Sequence, residues 1–89
     1  MSTRQERRLA ARRLRDLKVP FILRQTLAKA EVRGHRHAEV LQRKGWEMVK
    51  HYGCDCCDPM ITQVWEGQCD GYLFRITTEW GKVDYCEKV

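Results

Sequence analysis

Cys54, Cys56 and Cys57 crowd into one short stretch three residues after His51. Thiolates spaced two to four residues apart are what a structural zinc ion requires, and an imidazole can complete such a set. Cys54-x-x-Cys57 supplies one pair, but the chain offers no second pair. The further ligands would have to be Cys69, Cys86 or one of His35, His37 and His51. The strand expected over 60–66 would hold Cys54–Cys57 and Cys69 roughly 20 Å apart. Thiolates around one zinc all lie about 2.3 Å from it, so four cysteines cannot meet. What remains is a mixed site of Cys54, Cys56, Cys57 and His51, with His35 or His37 as substitutes. The expectation is free thiols and no cofactor, with zinc at this cluster as the alternative. Cys69 and Cys86 fall at one end of the expected sheet and would pair only where the environment oxidises.

The same residues are the only candidates for covalent chemistry. Cys54 or Cys56 beside His51 would make a nucleophile and base, but nothing orients the imidazole. No glycine-rich loop cradles a phosphate, and the acids of the C-terminal half lie mainly at turns and strand ends. Cys54-x-x-Cys57 also lacks the strand-to-helix setting of a thioredoxin-like redox pair. The sequence therefore reads as a protein that is not an enzyme.

Charge carries the stronger signal. Residues 1–18 hold six arginines and one lysine against two acids, a charge of +5. Residues 19–53 carry +4 and residues 54–89 carry −4. Arg4 to Leu17 lacks glycine, proline and β-branched residues, so it should be helical, and Thr3-x-x-Glu6 has the form of a capping box. At about 100° per residue, Leu9, Ala10, Leu14 and Leu17 share one side. Arg4, Arg7, Arg8, Arg12, Arg15 and Lys18 share the other, and Arg13 alone lies off that face. Guanidinium groups fork phosphate oxygens and stack on bases. The segment resembles the arginine-rich helices that enter the widened groove of structured RNA. By that resemblance Arg4, Arg7, Arg8, Arg12, Arg13, Arg15 and Lys18 would contact phosphates, with RNA somewhat ahead of DNA. A solvated helix docked through its leucines is the plainer alternative.

Val19-Pro20 ends the first helix, and a second, well-buried one runs from Pro20 towards Gly34. A short third helix spans about 35–44, with Gly45 after its end. His35 and His37 directly follow the end of the second helix and read as polar surface residues. From Trp46 to Tyr52 an imperfect alternation favours strand over continued helix. Residues 53–59 form a loop, 60–66 a strand, 67–71 a turn, 72–79 a strand, and 83–87 pairs back. The fold class is α+β, with two or three N-terminal helices followed by a small antiparallel meander of three to four strands. In domain terms, 1–18 is a basic helical arm and 19–89 a single small domain.

Neither a signal sequence nor an apolar run of about 18 residues is present, which points to a cytoplasmic protein. Two functions fit. One is a non-enzymatic nucleic-acid-binding protein working through the arginine helix. The other is a regulator or inhibitor, of the kind mobile elements encode, that docks by the same arm on a nucleic-acid-processing machine with an acidic or phosphate-binding surface. Trp46, Trp65 or Trp80 would anchor the second, although core packing is expected for at least two of them. Tyr72 and Phe74 could stack on bases, but an ordinary core role is the expectation.

Overall fold

The structure, a computed structural model, describes residues 3–54 and 58–89; for Thr3 and residues 53, 54 and 58–61 it describes the backbone alone. Three helices, α1 (Thr3–Asp16), α2 (Phe21–Val32) and α3 (His37–Arg43), precede four strands, β1 (Glu47–Cys54), β2 (Asp58–Cys69), β3 (Tyr72–Glu79) and β4 (Lys82–Lys88). The strands form an antiparallel meander in the order β1-β2-β3-β4. The fold is α+β. No described helix is long and apolar enough to cross a membrane.

All three helices stop in the same way. His35 N–H reaches the Ala30 carbonyl while Gly34 N–H reaches Glu31, and Trp46 N–H reaches Leu41 while Gly45 N–H reaches Gln42. These are Schellman motifs, with Gly34 and Gly45 in the left-handed region that glycine tolerates best. At α1, Val19 N–H reaches Leu14 and Lys18 N–H reaches Arg15, but the left-handed residue is Lys18, at φ 67°. Burial of Val19 and Leu14 in the common core holds this less favourable cap in place.

The core lies between the helices and one face of the sheet. Leu14, Val19, Leu23, Leu27 and Leu41 meet Trp65, Ile76, Val83 and Cys86. Trp65 Nε1 donates to the Thr78 hydroxyl at 3.1 Å, which satisfies both buried polar groups. α1 is thus docked by Ala10 and Leu14. Leu9 is not part of that face: it is 54% exposed, because its direction falls well away from the Ala10–Leu14–Leu17 line.

Bulges account for the irregular strand patterns. A register shift between Met48 and Lys50 interrupts the alternation of β1. Another, in β4, pairs Thr77 with Tyr85 and Thr78 with Val83, so Val83 and Cys86 both point inward. The expected turn over 67–71 is shorter: β2 continues to Cys69, and only Asp70-Gly71 turns. Gly67 is a strand residue whose missing side chain leaves room for the Trp46 ring, which a Cβ would overlap.

Candidate functional site

Helical spacing sets Arg4, Arg8, Arg12 and Arg15 along one exposed ridge of α1, opposite the docked side. Arg8, Arg12 and Arg15 form one wall of a shallow groove of about 420 Å³; Arg24 and Gln25 of α2 form the other. Arg24 is held rather than free. One Nη donates to the Val19 carbonyl at 3.2 Å, and the guanidinium carbon lies 5.7 Å from the centre of the Phe21 ring. Its buried Nε has no hydrogen-bond partner among the described residues. Within the described residues, no carboxylate lies at ion-pair distance from Arg8, Arg12 or Arg24, and Arg15 has only Asp16 at 4.0 Å. The groove is thus a row of guanidinium groups with little internal neutralisation.

Arg24 was not singled out by the sequence. The signal for it was the +4 charge of residues 19–53 combined with helical spacing on α2. Arg7 is exposed nearer the N-terminus of α1. Lys18 lies past the helix end beside β4, where the Cys86 thiol donates to its carbonyl at 3.8 Å. Arg13, which leans away from the ridge as its helical angle requires, is bonded to Glu31 on α2.

Charge is segregated in space as well as in sequence. Every ion pair among the described residues joins two groups of residues 1–53 or two groups of 54–89. On the outer face of the sheet Arg75 bridges Glu66 at 3.0 Å and Glu87 at 3.3 Å. Among the described residues, the basic and acidic ends do not neutralise each other through ion pairs.

His37 differs most from expectation. It is the first residue of α3, and its side chain is fully buried rather than at the surface. Nδ1 accepts the Val83 N–H at 2.9 Å, so the neutral ring must carry its proton on Nε2. Nε2 lies 3.2 Å from Glu31 Oε1, close enough for strong electrostatic contact though poorly aimed for a hydrogen bond. Burial holds the pKa down to about 4, outweighing the opposing pull of Glu31; Arg13 and Lys82 lower it further. With Nδ1 committed and Nε2 turned on Glu31, His37 is closed to metal and is not a surface residue. The chain Arg13–Glu31–His37–Val83 instead ties all three helices to β4. His35 is exposed, 3.7 Å from Glu39.

Cys56, Cys57 and the Cys54 side chain, the core of the candidate zinc set, lie outside the described residues. His51 is exposed on β1. Cys54 pairs with Asp58 at one end of β2 and Cys69 stands at the other, about 36 Å of strand away at 3.3 Å per residue. The described residues contain no group of three or more potential ligands. Cys69 and Cys86 are free thiols, and burial pushes Cys86 up to about 11. Trp46 and Trp65 are core residues, whereas Trp80 is 60% exposed. Tyr72 is exposed under the Lys88 ammonium, 4.2 Å from its ring centre, and Phe74 is half-buried. The chain matches no known protein family, no curated protein and no solved structure.

Proposed function

We propose that this protein is a non-enzymatic nucleic-acid-binding protein that grips phosphates with the arginine ridge of α1 and with Arg24. The observation that carries this reading is the groove of Arg8, Arg12, Arg15 and Arg24, which presents guanidinium groups with little carboxylate to neutralise them. Phosphate is the chemistry these groups fit best, through forked, charge-assisted hydrogen bonds and counterion release. Because α1 is docked, the ridge is presented as a fixed surface rather than as a loose arm.

Replacing Arg8, Arg12 and Arg15 together by glutamine tests this without touching the core. Fluorescence anisotropy on a labelled RNA hairpin and a labelled DNA duplex should show a loss of affinity of roughly ten-fold or more at low salt. Undiminished binding by that variant would remove the ridge from the interface.

One observation favours a protein partner instead. Trp80 sits at the tip of the β3–β4 hairpin with φ 55°, a conformation large side chains seldom adopt, and is mostly exposed. An exposed tryptophan in a disfavoured conformation is a natural interface anchor. A regulator using it would lose its partner on Trp80→Ala while keeping whatever affinity it has for nucleic acid.

A further inference from the structure

A second basic cleft lies on the far side of α2. Lys29 of α2, Arg33 just past its end, His35, and Arg43 and Lys44 at the end of α3 surround a cavity of about 310 Å³, floored by Ala30 and Val40 and edged by Thr26. Glu39 is the only acid found at ion-pair distance from these groups among the described residues, 3.7 Å from His35 and 3.8 Å from Arg43. Lys29, Arg33 and Lys44 have no such partner among the described residues. Cations converging on a pocket with so little counter-charge would repel one another, and an anion would relieve that.

The position of the pocket gives its meaning. Along α2 and its C-cap residue the first groove takes Arg24 and Gln25, and the second takes Thr26, Lys29, Ala30 and Arg33. At about 100° per residue those two sets point roughly 140° apart. Between them runs an outward strip of Phe21, Ile22, Gln25 and Lys29, where Phe21 is 63% and Ile22 57% exposed. α2 is therefore a ridge with a cationic trough on each side and base-compatible side chains along its crest.

We infer that α2 is a duplex-reading helix that lies in the major groove of B-form DNA, with the two clefts holding phosphates of opposite strands. This rests on the nucleic-acid reading above and adds the form of the ligand. A helix with its side chains is about 10–12 Å across, and the B-DNA major groove is about 12 Å wide. The major groove of A-form RNA is too narrow for such an element. Gln25 has the amide that recognises adenine edges, and Phe21 and Ile22 offer apolar contact to thymine methyl groups. The Arg8–Arg12–Arg15–Arg24 groove takes one backbone, and the Lys29–Arg33–Arg43 pocket takes the other.

Two triple variants separate the parts: R8Q/R12Q/R15Q for the first cleft and K29Q/R33Q/R43Q for the second. All six side chains are exposed, so both variants should retain the denaturation midpoint of the parent. Each is titrated with a 16-base-pair DNA duplex and an A-form RNA hairpin over a salt series. The second-cleft variant should bind the duplex about ten-fold more weakly, with a salt slope about 2.7 shallower for three lost contacts, and bind the hairpin as the parent does. Unchanged duplex binding by that variant, with the first-cleft variant impaired, would overturn the straddled helix and leave the arginine ridge standing. Equal losses on duplex and hairpin would also overturn it, because A-form RNA does not admit α2. If the parent chain binds neither nucleic acid, the underlying reading fails as well.

Discussion

Acid should unfold this protein earlier than its carboxylates alone would dictate, because of His37. The folded state holds the ring neutral, with a pKa lowered from 6.5 to about 4. Protonation would have to occur at Nδ1, the atom that accepts the Val83 N–H, and would set two donors against each other in the core. Glu31 opposes the shift from α2, while Arg13 on α1 and Lys82 on β4 reinforce it. The unfolded chain takes up the proton as pH falls through about 6.5, whereas the folded chain does not until about pH 4. Stability is therefore fully present above pH 6.5 and declines below it. At 1.36 kcal/mol per pKa unit the loss approaches about 3 kcal/mol by pH 4. That is a large share of the roughly 5–10 kcal/mol available to a small domain. Urea denaturation at half-unit steps from pH 8 to pH 4 measures it, with His37→Asn as the reference. Asn can present an acceptor to Val83 but cannot titrate. The difference between the two curves should grow steadily below pH 6.5, in favour of the variant. Parallel curves would rule out His37 as the cause, since every other ionisable group is common to both proteins.

Three further outcomes follow from the packing. Leu14→Ala should cost about 2–4 kcal/mol in urea denaturation, because Leu14 is fully buried; a cost near zero would mean that α1 is not docked. Lys18→Gly should raise stability by up to about 1 kcal/mol, since Lys18 occupies the left-handed cap position with φ 67°. Gly67→Ala should destabilise by about 1–3 kcal/mol and red-shift tryptophan emission, because the added methyl displaces the Trp46 ring.

Much of this architecture can be read from local chemistry. Gly34 and Gly45 mark two helix ends because the left-handed residue of a Schellman cap selects glycine, and the alternation of 72–79 marks β3 because its partners keep register on the β2 side. The signals that fail are those settled by distant packing. Gly67 looks like turn punctuation, yet it is a strand residue accommodating an indole brought from Trp46. His37 gives no local sign of burial, since its partners Glu31 and Val83 come from elsewhere in the chain. For the site, the helical period locates the α1 ridge and separates Arg13 from it. The period alone does not reveal that Arg24 completes a groove, or that α2 separates two basic clefts, because both depend on how the helices cross.

If the exposed cations of the helical layer bind phosphate, counterion release is the direct signature. The measurement is the affinity of the full chain for a DNA duplex between 0.05 and 0.3 M salt, beside R8Q/R12Q/R15Q. Log K should fall against log salt with a slope of about −4 or steeper, and the variant should be shallower by about 2.7. A slope near zero, or one identical in the two proteins, would contradict phosphate binding by these cations.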